Sequence, residues 1–582
     1  MKKFLIGLVA GFLLAGLACI VVVLALLRLG ERKPAVPDNA TLMFRLEGEI
    51  VEKPPVRYPL PFLESTAPLT TFDIWDLLRK AEADKRIKAV FFEPRGVQTG
   101  WATLEEVHRS LLKLRRSGKP VYAYLRSPGA REYYLATAAD AIFLAPDDVL
   151  FLKGLRAEFL FFRRAMDKIG VELEVERAGK YKDAADSFTR TSLAPESREV
   201  ISSVLDQVFG DLVGKIAEGR RISPDEARRL IDDGPLLARQ AKDKKLVDGL
   251  LFEDQALDAL KTRARLKEIS KVSHRQYARV SAGSLGLAGG SRIALVAGEG
   301  TILRGSAADL SDSAIWSDSF ARLLDDIGND AAVKGVILRV NSPGGDAVAS
   351  EDILHAARKL SRKKPLVVSM ADVAASGGYY IAMTGDPVLA YPNTITGSIG
   401  VIFGKVNLVR LYEKLGLNHE TLLRGKNAAI DSSVVPLSEA GRQKLREGIA
   451  STYESFLARV AEGRKRKKEE IEPLAQGRVW IGALAKGNGL VDELGGLDRA
   501  IALVREKARI PAAERVSVVL YPLRQSILDK IMSSSAASLL DEEQMAARKL
   551  RRQLGGALGG VDLRLFDQPR LLRIAPFVIR ID

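Results

Sequence analysis

Apolar positions along the chain fall into two kinds of pattern. Short runs of β-branched and aromatic residues, such as IKAVFFEP from Ile87 and VKGVILRV from Val333, alternate with stretches whose apolar residues recur every three or four positions. The first kind is typical of buried strands, and the second predicts amphipathic helices. Their alternation predicts an α/β fold built on a largely parallel sheet.

The whole pattern is present twice. Leu77, Ile87, Tyr133 and Gly170 recur in similar surroundings 246 residues later, at Leu323, Val333, Tyr379 and Gly416. The motif AEGR recurs after 244 residues. One nearly constant offset across several segments indicates that one unit has been duplicated.

This duplication predicts two tandem domains, flanked by N- and C-terminal segments that are not repeated. We expect a transmembrane anchor over residues 1–29, a linker over 30–40, a first repeat domain over 41–278, a Gly/Ser-rich linker over 279–291, a second repeat domain over 292–510 and a basic tail over 511–582. The Arg-rich tail is compatible with an added helix, an oligomer contact or a membrane-surface contact.

The anchor prediction rests on 24 uncharged residues, Phe4 to Leu27. As a helix they would extend ~36 Å, enough to cross a hydrocarbon core ~30 Å thick. A cleaved signal peptide is the alternative, but its apolar core is usually ~7–15 residues and ends at an A-x-A site, which is missing here. We therefore expect lipid contact through residues 4–27. Positive charges flank both ends of the span, so they leave its orientation open.

The amino-acid composition limits the kinds of partner and site that the chain can have. The chain has 88 Lys and Arg against 73 Asp and Glu, a net charge of +15 spread over 582 residues. This charge indicates a basic surface and does not by itself indicate a nucleic-acid binder, so we expect no nucleic-acid partner. One cysteine excludes an intrachain disulfide, and four scattered histidines argue against a zinc site. We expect neither a metal nor a cofactor.

A candidate nucleophile lies in the second repeat. In LVVSMADVAASGGYYIA, a buried strand runs into Ser376 and Gly377, followed by an apolar helix. This arrangement has the logic of a nucleophile elbow, in which a tight turn exposes a serine hydroxyl. Upstream, NSPGG ends another strand with Gly344 and Gly345. Such glycines can turn backbone N–H groups towards an oxyanion.

The general base is less obvious. His355 and His419 are poor candidates, because His355 belongs on an amphipathic helix surface and His419 has no paired carboxylate. Lysine remains. The position equivalent to Ser376 in the first repeat is Ala130, whereas Lys182 of the first repeat is matched by alanine in the second. This complementary loss indicates one composite site formed by Lys182 and Ser376, with Lys180 as the alternative lysine.

The motifs VNSPGG, AASGGYYIA and TITGSIG, with G-K-Y-K in the first repeat, resemble the signal peptide peptidase A family in its long, tandem form. The resemblance extends from the anchor to about residue 510. It implies two Clp-protease/crotonase-like domains, a Ser–Lys dyad of Ser376 and Lys182, and Ser398 as a hydrogen-bond partner of the lysine. Around Lys182, the chain departs from the commoner family run at residues 180, 183, 186 and 187.

The resemblance also implies a role and a location. We expect a serine endopeptidase that degrades cleaved signal peptides and other short apolar peptides through an acyl-enzyme. It would be a homotetramer in the bacterial inner membrane, with one span and the soluble part on the extracytoplasmic side. A crotonase-like acyl-CoA enzyme and a non-catalytic membrane scaffold on a peptidase fold are the alternatives.

Overall fold

A computed structural model of the chain describes residues 35–55, 67–306, 314–523 and 571–574, with isolated positions 7, 11, 14 and 16. Most of the expected anchor over residues 4–27 therefore lies outside the described residues. Among those that are described, no helix combines the length and the apolar character needed to cross a membrane.

The first half alternates strands with helices. Its strands are β1 Ala40–Val51, β2 Leu69–Thr70, β3 Ile87–Gln98, β4 Val121–Leu125, β5 Ala141–Leu144, β6 Val149–Leu150, β7 Glu172–Ala178, β8 Leu236–Leu237, β9 Gly249–Leu250 and β10 Ser270–Ser273. Its helices are α1 Thr71–Ala83, α2 Trp101–Arg116, α3 Ala130–Ala136, α4 Arg163–Ile169, α5 Asp186–Thr189, α6 Pro195–Arg220, α7 Pro224–Asp232, α8 Ala238–Asp243, α9 Glu253–Arg263 and α10 His274–Ala278. A 3₁₀ turn at Gly283–Leu285 leads to the second half.

The second half repeats this alternation. Its strands are β11 Ser291–Glu299, β12 Ile302–Leu303, β13 Ile315–Trp316, β14 Val333–Ser342, β15 Gly344–Asp346, β16 Leu366–Ala375, β17 Val388–Ala390, β18 Ile395–Gly397, β19 Val401–Asn407, β20 Val479–Ile481, β21 Glu493–Leu494, β22 Val516–Tyr521 and β23 Leu571–Ile574. Its helices are α11 Ser317–Asn329, α12 Ala347–Lys363, α13 Gly377–Ile381, α14 Val409–Lys414, α15 Glu439–Arg464, α16 Lys468–Ile471, α17 Gly482–Gly487 and α18 Leu497–Lys507, with a 3₁₀ turn at Glu472–Leu474.

The two halves contain equivalent parallel sheets. The first has the strand order β10-β1-β3-β4-β5-β9, and the second has β22-β11-β14-β16-β17-β21. Neighbouring strands in these series run parallel, and their core residues are almost fully buried because helices cover the faces. This confirms the predicted fold class of two tandem α/β domains. The second sheet extends to β22, beyond residue 510 where the sequence repeat fades.

A third sheet joins the halves. Its order is β13-β12-β15-β23-β19-β7, so β7 of the first half lies at one edge of strands from the second. Two buried polar contacts also cross between the halves. Arg339 donates to Glu52 at 2.7 Å, and the Asp372 carboxylate accepts from Thr103 N and Oγ at 2.8 Å each. The third sheet places the end of β7 beside the strands that carry the candidate site.

Candidate active site

Ser376 occupies the turn between β16 and α13. Its φ is +53° with ψ of −115°, a positive-φ conformation that a serine rarely adopts, and its side chain is fully buried. The backbone holds this conformation from both sides, because Ser376 N donates to Gly397 O at 2.7 Å and Ser376 O accepts from Tyr380 N at 2.8 Å. Strain of this kind is concentrated at functional sites. The sequence had placed Ser376 at such a strand-to-helix turn.

Lys182 reaches Ser376 from the other half of the chain. It follows β7 in a tight turn, where its N–H donates to Gly179 O at 3.1 Å, and it is completely buried. Its Nζ lies 2.8 Å from Ser376 Oγ. The two residues that the sequence predicted to share one site are therefore in direct contact.

Ser398 completes the surroundings of the lysine amine. Lys182 Nζ lies 3.0 Å from Ser398 O and 3.0 Å from Ser398 Oγ. A neutral amine has two N–H donors and one lone pair, and a carbonyl oxygen can only accept. Two N–H groups directed at Ser398 would therefore leave the lone pair facing the hydroxyl of Ser376. This is the arrangement that a general base needs.

Burial sets the protonation of the lysine. Removal from water lowers the pKa of Lys182 well below its usual range, and the charge of Arg573 lowers it further, whereas Asp183 opposes both. Burial also raises the pKa of Asp183 itself to about 6. Since desolvation is the largest of these effects, Lys182 loses its proton more readily than an exposed lysine.

The other candidate groups are distributed as follows. Lys180 is exposed, with its ammonium 4.9 Å from the ring centre of Tyr181. His355 is exposed on α12, and His419 is exposed near Tyr412. None of the four histidines hydrogen-bonds Ser376: His108 contacts Thr137, and His274 packs against Phe44.

Among the described residues, no group of three or more His, Cys, Asp or Glu is placed to hold a metal ion.

The predicted oxyanion glycines surround the serine turn. Gly344 has φ of +99°, and a Cβ there would lie 2.6 Å from Gly377 N. Gly377 is also in a tight space, because its Cβ would lie 2.7 Å from Ser350 Oγ and 3.1 Å from Gly344 Cα. Asp346 fixes the strand after Gly345 by accepting from Val348 N and Ala349 N at the start of α12. The N–H of Gly344 donates to Ser342 Oγ at 3.1 Å.

Sequence reasoning missed a strand from the end of the chain. β23 lies between β15 and β19 and is antiparallel to both, with Gly345 opposite Arg573. A Cβ on Gly344 would lie 2.0 Å from Arg573 O. The Arg573 guanidinium is buried 3.6 Å from the ring centre of Tyr380 and donates to Ala347 O at 3.0 Å. The apolar run LLRI was the available signal, but it carries no chemistry by itself.

Comparisons with known proteins identify the family. The family model described as Peptidase family S49 matches residues 113–267 and 358–511, one segment in each half. "Serine protease SPPA, chloroplastic" of Arabidopsis thaliana is 33% identical over 467 residues, covering 79% of this chain and 69% of the relative.

Two bacterial relatives match a larger share of their own length. "Protease 4" of Salmonella typhi is 33% identical over 531 residues, covering 86% of this chain and 83% of the relative. "Protease 4" of Haemophilus influenzae is 30% identical over 497 residues, covering 81% and 80%. With both halves matched and the predicted family resemblance confirmed, the chain is a tandem-repeat protease that belongs to peptidase family S49.

Proposed function

We propose that the chain is a serine endopeptidase whose catalytic dyad is Ser376 and Lys182. The single observation that carries this is the 2.8 Å separation of Lys182 Nζ and Ser376 Oγ inside a buried site. Ser376 is the nucleophile and Lys182 is the general base. Ser398 is a positioning residue, because it contacts the lysine amine and directs its lone pair.

The reaction has two stages. As Ser376 Oγ attacks a peptide carbonyl carbon, its proton passes to Lys182 Nζ. The C–N bond then breaks, and the departing amine takes that proton, which leaves an ester on Ser376. A water molecule next gives a proton to Lys182 and attacks the ester. The acid product leaves, and Ser376 Oγ recovers its proton from Lys182.

The negatively charged oxygen of the tetrahedral intermediate in each stage needs hydrogen-bond donors. N–H groups at Gly345 and Gly377 serve as the oxyanion hole, while Gly344 shapes the turn between them. Support comes from the close approach of the Gly344 and Gly377 backbones beside Ser376. Removal of one such donor typically costs about 10²–10³-fold in kcat.

The substrates are extended peptides. The position of β23 supports this, since an extended segment already lies hydrogen-bonded between β15 and β19 beside the serine turn. Strand addition of this kind gives affinity through main-chain hydrogen bonds. By family resemblance, the substrates are cleaved signal peptides and other short apolar peptides.

The same resemblance implies the cellular location and the oligomeric state. Residues 4–27 anchor the chain in the bacterial cytoplasmic membrane, the remainder lies on the extracytoplasmic side, and the chain forms a homotetramer. Intact mass of the membrane-extracted protein tests retention of residues 1–29. A mass that lacks them would remove the anchor from the proposal.

Covalent labelling tests the dyad. A serine-reactive phosphonate should add one label per chain at Ser376, located by peptide mass mapping. Ser376→Ala should abolish the label, and Lys182→Ala should slow it strongly, whereas Lys180→Ala should label like the wild type. Absence of labelling in the active wild-type protein, or labelling at another serine, would contradict the assignment. An unlabelled, inactive wild type would favour the scaffold alternative.

A further inference from the structure

Glu299 joins the two halves of the chain at the end of β11. Its carboxylate accepts from two backbone N–H groups that follow β1 of the first half, those of Glu52 at 3.0 Å and Lys53 at 2.9 Å. The same carboxylate accepts from the side-chain amide of Asn341 at 3.2 Å. One acidic side chain of the second half therefore holds both the end of a first-half strand and the end of β14.

Asn341 continues this link to the serine turn. It lies near the end of β14, directly before Ser342, and its Oδ1 accepts from Val373 N on β16 at 3.1 Å. Strand β16 leads directly to Ser376, and β14 leads to the proposed oxyanion glycines. The Asn341 amide thus connects the two strands on which the nucleophile and the oxyanion turn depend.

The chemistry of these groups fixes the orientation of the Asn341 amide. A carboxylate only accepts hydrogen bonds, a backbone N–H only donates them, and an amide side chain has one end of each kind. The NH₂ end of Asn341 therefore faces Glu299, and its oxygen faces Val373. Turning the amide round would place a donor against a donor at Val373 and an acceptor against an acceptor at Glu299.

The equivalent carboxylate of the first half is placed differently. Glu299 lies opposite Asn341 in the pairing of β11 with β14. Glu47 lies opposite Arg95 in the pairing of β1 with β3, 246 residues before Asn341. The Glu47 side chain is 53% exposed and makes an ion pair with Arg45 at 3.7 Å. The carboxylate is thus tied to strand ends in the half with the nucleophile, and faces solvent in the half without it.

We propose that Glu299 is a positioning residue for the peptidase reaction, which fixes the Asn341 amide and thereby the alignment of the oxyanion turn with the serine turn. Because Glu52 N and Lys53 N hold the same carboxylate, docking of the first half and alignment of the two turns are coupled. This inference deepens the proposed function and rests on it, since it concerns the same site.

Glu299→Gln tests this role without a change of side-chain shape. The glutamine has one donor end, which would face either Asn341 Nδ2 or the N–H groups of Glu52 and Lys53. A shift of about 1 Å at a reacting group can cost about 10²-fold in rate, so kcat should fall by about 10–10²-fold while KM changes little. Glu47→Gln is the matched control and should keep the wild-type kcat. Loss of water raises the pKa of the Glu299 carboxyl to about 7, so the assays are run above that pH.

A second substitution should restore the link. In Glu299→Gln/Asn341→Asp, the glutamine NH₂ donates to the introduced carboxylate, whose other oxygen accepts from Val373 N. The glutamine oxygen accepts from Glu52 N and Lys53 N, so every donor and acceptor is matched again at the same net charge. The double variant should therefore recover most of the lost kcat. Asn341→Asp alone places two carboxylates face to face and should stay impaired.

The readouts separate positioning from simple stability. The kcat is expressed per site that reacts with the serine-reactive phosphonate, so unfolded protein does not contribute. Hydrogen exchange of the Val373 amide should be faster in Glu299→Gln and slow again in the double variant. Unchanged exchange in Glu299→Gln, or no recovery of kcat per reactive site in the double variant, would overturn the inference.

Wild type and Lys182→Ala are assayed in parallel to separate this role from the dyad itself. A wild-type kcat in Glu299→Gln beside a strongly impaired Lys182→Ala would overturn the role of Glu299 and leave the dyad in place. An inactive wild type, or a fully active Lys182→Ala, would overturn the proposed dyad and this role with it.

Discussion

The backbone of Lys182 lies directly against Gly477 of the other half. A Cβ at position 477 would be 2.7 Å from both N and Cβ of Lys182, and Gly477 has φ of +77°. The neighbouring Gln476 O accepts from Tyr181 N at 2.9 Å. The position of the lysine is therefore set by the absence of a side chain at residue 477.

Replacement of Gly477 by alanine should displace the lysine turn. A shift of about 1 Å at a catalytic group can cost about 10²-fold in rate, so Gly477→Ala should lower kcat by about that factor in a peptide-cleavage assay. Gly487→Ala is the control, since Gly487 is exposed and has open space around its Cβ position. Equal activity of both variants would show that the contact does not position Lys182.

Replacement of the two nearby lysines should separate their roles. General-base catalysis contributes about 10²–10⁴-fold, so Lys182→Ala should lose kcat by a factor in this range. Lys180→Ala should retain nearly all activity, because Lys180 is exposed and lies over Tyr181. Steady-state kinetics on one fluorogenic peptide is sufficient. A comparable loss in both variants would remove the distinction between the lysines.

The sequence was sufficient to predict the pairing of Ser376 with Lys182, because each repeat lacks one of the two residues. Ala130 and Ala428 marked the missing groups, and the constant offset aligned them. The sequence could not predict the contact of Gly477 with Lys182, because a single glycine in AQGRVW forms no periodic pattern and has no reactive side chain. Nor could it place β23, since strand pairing over hundreds of residues depends on the tertiary fold and leaves no local pattern.

Charges around Lys182 should move the acid limb of the pH profile in opposite directions. As the proposed base, Lys182 acts as the free amine, so kcat/KM should fall as pH drops through its pKa. Arg573 lowers that pKa and Asp183 raises it. Arg573→Met should therefore move the acid limb to higher pH, and Asp183→Asn should move it to lower pH.

The shift expected for Asp183→Asn is limited to pH values at which Asp183 is charged. Asp183 has a pKa of about 6, so the effect of Asp183→Asn should appear above that pH, where the carboxylate is charged. The measurement is kcat/KM against pH for the wild type and both variants, with Lys180→Ala as a control of unchanged profile. Shifts of the same sign in the two variants would contradict this electrostatic account.

Burial of Lys182 should also cost stability. Its unfolded pKa is ~10.4, whereas burial lowers the pKa in the folded protein. Protonation therefore favours the unfolded chain at any pH below the unfolded pKa, and this cost is greatest below the folded pKa. Lys182→Met should raise the unfolding midpoint at pH 7, with a smaller gain at pH 10.

Thermal unfolding at the two pH values measures this difference. Lys180→Met is the matched control and should show no pH-dependent gain, because residue 180 is exposed. A gain of equal size for Lys182→Met at both pH values would indicate better packing and would argue against a deprotonation effect.

The buried ion pair between Glu52 and Arg339 should be a main support of the contact between the halves. Arg339 is fully buried, and its guanidinium donates to Glu52 at 2.7 Å and to Ser369 at 2.9 Å. Removal of one partner leaves an uncompensated buried charge, which typically costs about 3–5 kcal/mol. Glu52→Gln should therefore lower the urea midpoint of unfolding. It should also weaken the contact between the halves that brings Lys182 to Ser376.

The double variant distinguishes a lost charge pair from lost packing. In Glu52→Gln/Arg339→Met, neither member of the pair remains charged, so part of the stability should return, while Glu106 and Asp372 lose the favourable field of Arg339. Glu462→Gln is the control at an exposed pair with Arg358, where a loss of at most ~1 kcal/mol is expected. If the double variant is no more stable than Glu52→Gln, the buried charge is not what destabilises the single variant. Phosphonate labelling in parallel reports whether the site re-forms, because in the proposed mechanism Ser376 is activated only when Lys182 of the first half reaches it.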